Sequence, residues 1–293
     1  RYFNRFIEFP GWPGLPEQQP DTEKIIQFLK EMRQHHFDLV LQMQGNGDLT
    51  NSLCMLWGAH TVSGLRKSHG YAPEASLFPV SEDGEHEITR FFKLLRCLGI
   101  PEQGTMLEFP IRTEEDELAK KYITQTGILP GQYVCIHPGA RDPRRRWPIG
   151  HFTFVANALA ANGTPILLTG SSDESELISQ LYKQIGGRVI NTVEEFGHVS
   201  AGVLASMLKY SRLLISNDTG VSHIAAALKI PSVVIFSPYS DINRWRPLDA
   251  ELHDSIPHSL ATDPGYVLDT VQKLLQRISN PLYGEQPVIQ HKA

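Results

Sequence analysis

The segment Ser216-Asn-Asp-Thr-Gly-Val-Ser-His223 sets a carboxylate, a hydroxyl, a glycine and an imidazole close together, directly after the apolar run Leu213-Leu-Ile215. Where a strand hands over to a helix, the first amides lack partners and the helix dipole shows its positive end, so Thr219 and Gly220 are suited to a phosphate. A carboxylate would repel that phosphate. Asp218 fits instead a hydroxyl-bearing group attached to it, and His223, one turn further on, is placed to donate to the same ligand. A sugar carried on a diphosphate has this mixture of parts. The local alternative is that Asp218 only caps the helix, that Gly220 is tolerated in its first turn, and that His223 is packed.

A second cluster follows another strand-like run, Tyr133-Val-Cys-Ile136. It comprises His137-Pro-Gly-Ala140 and the basic stretch Arg141-Asp-Pro-Arg-Arg-Arg-Trp147-Pro148. Guanidinium groups in that turn could neutralise a departing diphosphate. A solvated basic loop is the alternative, and Trp147-Pro148 weighs against it by pinning the loop to the next helix. Glu174, in the turn Gly170-Ser-Ser-Asp-Glu174, reads either as a ligand contact or as a first-turn acid complementing its helix dipole. Gly45-Asn-Gly47 has Thr50 where a third glycine would stand, so it gives little support to NAD binding.

The elements that must position these residues alternate between short apolar runs and amphipathic segments, which is the pattern of βα units around a parallel sheet. In the first half, helices are expected from Asp21 to His35, Leu49 to Trp57 and Glu85 to Leu98, with strands at 38–42 and 60–65. Thr113 is expected to cap a further helix ending near Gly127, and Leu129-Pro-Gly131 reads as the linker between domains. The second half gives strands at 133–136, 166–169, 188–190, 212–215 and 232–236. Helices fall between them at 150–161, 173–185, 200–208 and 219–228. Ligands of such sheets bind outside the carboxyl ends of the strands. The turns at His137, Gly170, Asn217 and Ser237-Pro-Tyr239 all lie there.

The whole chain has 293 residues, 41% of them hydrophobic, enough for two domains. Its net charge of −5 argues against a nucleic-acid partner. Cys54, Cys97 and Cys135 form no CxxC pair and the twelve histidines no HExxH, so neither a disulfide framework nor a metal site is expected. No window is apolar enough to span a bilayer and no signal peptide is visible, so the reading is cytoplasmic.

His137-Pro-Gly-Ala, Arg145-Arg-Trp-Pro148, Leu168-Thr-Gly170 with Asp173-Glu174, and Ser216-Asn-Asp-Thr-Gly220 with His223 together resemble glycosyltransferase family 9, the ADP-heptose:lipopolysaccharide heptosyltransferases. Phe37-Asp-Leu-Val40, Gln44-Gly-Asn46 and Leu94-Leu-Arg-Cys-Leu-Gly-Ile-Pro101 extend the likeness into the first half. The resemblance implies an α/β GT-B architecture of two Rossmann-like domains with parallel sheets. The acceptor-side domain would occupy 1–128, the nucleotide-sugar domain 131–265, a crossover helix returning to the first domain 266–279, and a mobile tail 280–293.

It further implies inverting transfer of heptose from ADP-heptose to a hydroxyl of a lipopolysaccharide-core or other glycan acceptor, without metal or other cofactor. The acceptor would place the enzyme at the cytoplasmic face of the inner membrane. Position by position, Asp218 matches the sugar-contacting acid, Thr219 and Gly220 the diphosphate-binding backbone, and His223 a contact beside them. Gly139 and Ala140 stand where small residues touch phosphate. Arg145 takes the place of the basic phosphate partner, often lysine, and stabilises the leaving group. Ser171 and Glu174 meet the nucleoside and Val199 the base.

The family's opening strand, glycine loop and acidic general base have no counterpart here. At about thirty residues per βα unit that amounts to roughly sixty residues, so the first domain is expected to be incomplete. Asp48 is an available acid that matches no base of the family. Two alternatives stay open: a nucleotide-sugar epimerase of the same fold, and a paralogue that binds nucleotide-sugar without catalysis.

Overall fold

A computed structural model describes residues 3–16 and 18–279, and the chain divides into two compact units between Thr105 and Met106. In the first unit, Asp21 caps α1 (Thr22–Gln34) by accepting from the amides of Glu23 and Lys24, and α1 buries Phe28 and Met32. β1 (Leu39–Gln42), α2 (Thr50–Met55) and β2 (Thr61–Gly64) form one βαβ unit, with Leu39 beside Thr61 and Gln42 beside Gly64 in a parallel pair. Val40, Cys54, Val62 and Phe78 make its small core. α3 (Glu87–Cys97) stops at Gly99, whose φ of +70° is one that an L side chain resists. These elements fall within a residue or two of their expected bounds.

The second unit opens with α4 (Thr113–Thr126), whose first turn is closed by the Glu115 carboxylate accepting from the Arg112 amide at 3.1 Å, so the cap is Arg112 and not Thr113. The chain then runs β3 (Val134–His137), α5 (Ile149–Ala161), β4 (Ile166–Leu168), α6 (Ser175–Tyr182) and β5 (Val189–Asn191). It continues through α7 (Thr192–Phe196), α8 (Ala201–Lys209), β6 (Leu213–Asn217), α9 (Gly220–Ala227) and β7 (Ser232–Ile235). It ends with α10 (Ile242–Trp245), β8 (His253–Ile256), α11 (His258–Ala261) and α12 (Pro264–Ile278).

The six strands are all parallel, in the order β5-β4-β3-β6-β7-β8. That order reverses direction between β3 and β6, which leaves a crevice beyond their carboxyl ends. Alternate residues serve two cores, as a sheet covered on both faces requires. Val134 and Ile136 face α5 and α12, while Tyr133, Cys135 and Leu214 face α4, α8 and α9.

Two expectations change here. The boundary was expected at Leu129-Pro-Gly131, but α4 buries Ala119 and Ile123 in the second unit's core. Asp116 fastens it there, accepting from Ser206 Oγ at 2.7 Å and from Tyr210 Oη at 3.0 Å. Burial works against this carboxylate's ionisation, yet hydrogen bonds from Lys120, Ser206 and Tyr210 outweigh it and hold Asp116 well below the usual range. The helix expected to cross back to the first domain is α12. Its buried stripe Val267, Val271 and Leu274 lies in the second unit's own core, and Arg277 pairs with Asp254 at 2.9 Å. The expected tail, 280–293, lies outside the described residues.

β8 was not expected at all, because His253-Asp-Ser-Ile256 carries no apolar run. It is an edge strand whose His253 is 4% exposed and shares a 2.8 Å hydrogen bond with Ser232. Burial pushes the imidazole down from 6.5 to about 4. A depressed pKa favours the native state above the ordinary value, and that advantage drains away as pH falls from 6.5 towards 4. Urea unfolding should therefore show a loss of about 2–3 kcal/mol between pH 7 and pH 4.5. His253→Asn should reduce the loss by about that amount; an unchanged slope would refute the assignment.

Candidate active site

The loops beyond β3 and β6 meet at the strand-order reversal. Asn217 ends β6 and is fully buried. Its side-chain N–H groups donate to the carbonyls of Pro138 at 2.8 Å and Gly139 at 3.2 Å, while its oxygen accepts from the Trp147 amide at 2.8 Å. One side chain thus fastens both ends of the loop that carries the arginines. Trp147 completes the anchorage by donating Nε1–H to the Ala261 carbonyl at 2.7 Å and packing edge-on against Phe152.

Hung from that anchor, Arg145 reaches Asp218. Its Nη2 donates to the Asp218 carbonyl at 2.5 Å and to the Asp218 carboxylate, and its Nε donates to Ser240 Oγ at 2.9 Å. Asp218 is 1% exposed, and its second oxygen, Oδ1, has no hydrogen-bond partner. The sequence reading gave Asp218 to a sugar and Arg145 to a diphosphate. The structure joins them to each other: one oxygen of the acid is taken by the arginine, the other is buried without a partner, and part of the guanidinium remains to meet a ligand. Two other arginines of the run are engaged elsewhere: Arg144 with Asp142 at 2.7 Å and over the Tyr239 ring, and Arg146 with the Ala140 carbonyl at 2.9 Å.

Thr219 caps α9 in extended backbone conformation, without a side-chain hydrogen bond to the helix amides. A Cβ at Gly220 would meet open space, so the positive end of α9 is approachable. Gly139 is different, since a Cβ there would overlap the Glu174 carboxylate. Glu174 is 7% exposed and points inward. It accepts from the Ser171 amide at 2.9 Å and stands 3.8 Å from His137 Nε2, while His137 Nδ1 shares a 3.1 Å hydrogen bond with Thr169. Burial keeps His137 below its ordinary range, against the pull of Glu174. Glu174 therefore closes its own turn, as a first-turn acid does, and supports the floor under Gly139.

These contacts join Gly139, Ser171, Glu174, Asp218 and Arg145 into one continuous array, with Thr219 and Gly220 next in the chain. Ala140 is buried beside them. His223 lies one turn along α9, its ring 5.8 Å from that of Trp245. Val199 packs against the α8 face of the core. Sequence reasoning assigned no role to Asn217, Ser240 or Trp245. A polar triplet, Ser216-Asn-Asp218, running out of a wholly buried strand was the available sign for the first of these.

The family model of glycosyltransferase family 9 (heptosyltransferase) matches residues 25–259. The chain belongs to glycosyltransferase family 9. It is similar to lipopolysaccharide heptosyltransferase 1 of Escherichia coli (strain K12), 27% identical over 257 residues that cover 80% of this chain and 76% of the relative. It is also similar to lipopolysaccharide heptosyltransferase 3 of the same strain, 23% identical over 77% of this chain, and there it spans 65% of the relative's length.

Among solved structures, a family 9 glycosyltransferase from Veillonella parvula DSM 2008 matches with a TM-score of 0.72 at 18% identity, covering 88% of this chain and 80% of its own. An E. coli heptosyltransferase solved with ADP-2-deoxy-2-fluoro heptose matches at 0.56 and 17% identity, covering 86% of this chain and 77% of its own. These likenesses show the GT-B fold of the family. The array described above therefore lies in a family 9 second domain, at the carboxyl edge of its sheet. No described helix is long and apolar enough to cross a membrane.

Proposed function

We propose that this chain moves a sugar, heptose by its relatives' names, from a nucleoside diphosphate donor to a hydroxyl of a lipopolysaccharide-core or related glycan. The transfer inverts the anomeric centre and uses no metal. One observation carries this reading: a helix end without a side-chain cap bond, an arginine fork and an unsatisfied carboxylate oxygen meet at the strand-order reversal. The first two suit a diphosphate and the third a sugar hydroxyl, so the pair of charges that looked contradictory in sequence fits a single molecule. The ADP-heptose analogue held by the E. coli relative supports the choice of donor.

In the reaction, an acceptor oxygen bonds to the anomeric carbon while the bond from that carbon to the diphosphate oxygen breaks, its electron pair leaving with the diphosphate. Arg145 and the α9 amides stabilise that leaving charge. The acceptor proton passes to a carboxylate base, for which no residue here is assigned. Working at the cytoplasmic face of the inner membrane would bring the enzyme to a lipid-linked acceptor.

Calorimetry with ADP and ADP-heptose, followed by an assay of ADP release with a lipid A–inner-core acceptor, tests the reading. Binding of both ligands and acceptor-dependent ADP release are expected. No binding of either ligand would overturn the proposal. Binding without release would favour a binding-only protein, and an altered free sugar nucleotide an epimerase.

A further inference from the structure

Arg145 and Asp218 do not form the side-by-side pair that a guanidinium and a carboxylate usually make, with two parallel N–H···O bonds. Nη2 is given to the Asp218 carbonyl and to Oδ2, while Oδ1 stays unpartnered in the interior. A bond to the second oxygen would be gained by swinging the fork until Nη1 also met the carboxylate. What opposes that swing is the third tie, from Nε to Ser240 Oγ at 2.9 Å.

Ser240 is well placed to resist. It closes the turn after β7, donating its amide to the Ser237 carbonyl at 3.1 Å, and that turn is held from behind by Phe236, whose amide donates to Ile256 on β8 at 2.9 Å. Arg145 is thus tied to residues beyond two adjacent strands, β6 and β7, and the plane of its guanidinium is set by both.

We infer that Ser240 is a positioning residue that keeps the Arg145–Asp218 pair one-sided, so that Nη1 of the arginine is kept off the carboxylate and left for the diphosphate. This rests on the proposed function. It goes further by assigning to a serine outside the family motifs the state of readiness of the arginine.

The consequence separates binding from stability. In Ser240→Ala, the freed guanidinium closes onto both carboxylate oxygens, so the fold is no less stable while ADP affinity falls about five- to tenfold. Ser240→Thr keeps the hydroxyl and restores affinity to within about twofold. In an Arg145→Lys background, Nε is absent and Ser240 has nothing to hold, so adding Ser240→Ala costs no further affinity.

The experiment is calorimetry of ADP with the full chain, these three variants and Arg145→Lys alone, with thermal midpoints taken in parallel. Unchanged ADP affinity in Ser240→Ala, a midpoint that falls together with affinity, or losses that add in full in the double variant would each overturn the inference and leave the functional reading standing. Failure of the parent chain to bind ADP would overturn both.

Discussion

Arg145→Ala lowers the thermal midpoint by about 6–12 °C and cuts turnover by about 100- to 1,000-fold. Two separate losses are expected from one substitution. The first is structural, because Asp218 is 1% exposed and would be left in the interior without the cation it pairs with. Removing one partner of such a pair costs about 3 kcal/mol, even though the intact pair contributes much less than that to folding. The second is chemical, because the leaving diphosphate loses a donor that was already in place.

Arg145→Lys separates the two. An ammonium can still pair with Asp218, so most of the midpoint returns. It cannot present a fork or reach Ser240, so turnover stays about tenfold below the parent. Melting curves and initial rates on the same preparations decide the matter. A parent-like midpoint and rate in Arg145→Ala would remove Arg145 from the site altogether.

Much of this was visible in the chain, and what was not visible has identifiable causes. The parallel sheet announced itself through apolar runs such as Ile166-Leu-Leu168, because a strand buried on both faces must be apolar throughout. The edge strand β8 escaped notice for the converse reason. His253-Asp-Ser-Ile256 is lined up by pairing with β7, not by its own hydrophobicity. α12 has an ordinary amphipathic stripe, and a stripe does not say which sheet it will cover. Its expected return to the first domain came from family likeness, whereas its buried residues pack on α5's side of the second unit's sheet.

The site shows the same division. Gly139, Asp218, Thr219 and Gly220 stood out because carboxylates, hydroxyls and glycines at strand ends are poor choices for packing. That Arg145 and Asp218 grip each other across 73 positions could not be read from either segment alone. Charge patterning shows what a residue can offer, and only the fold shows what has already accepted it. Glu174 makes the point again: it was read as facing a nucleoside, and its carboxylate is turned inward to Ser171 and the Gly139 floor.

Asn217→Asp is the sharpest test of how that floor is held, because it changes one atom and almost no volume. In the parent, the Nδ2 group donates to two carbonyl oxygens, and the variant sets a carboxylate oxygen against the same two. Both hydrogen bonds become repulsions, in a place with no exposure to water and with Asp218 as the next residue. The loss of two buried hydrogen bonds together with an uncompensated charge should cost about 4 kcal/mol, or about 8–16 °C in the midpoint.

Function should suffer more than stability. The freed Pro138–Gly139 segment no longer holds Gly139 against Glu174, while the Trp147 amide keeps its acceptor in the remaining side-chain oxygen. ADP affinity is expected to fall at least about 100-fold. Acid gives the control. A protonated carboxyl regains one O–H donor, so the variant's deficit relative to the parent should shrink as pH falls from 7 towards 5. The comparison must be with the parent at each pH, because His253 lowers the stability of both over the same interval. If the variant melts with the parent and binds ADP as tightly, then the 138–147 loop is held by Trp147 and its neighbours alone, and the asparagine is a passenger at the end of its strand.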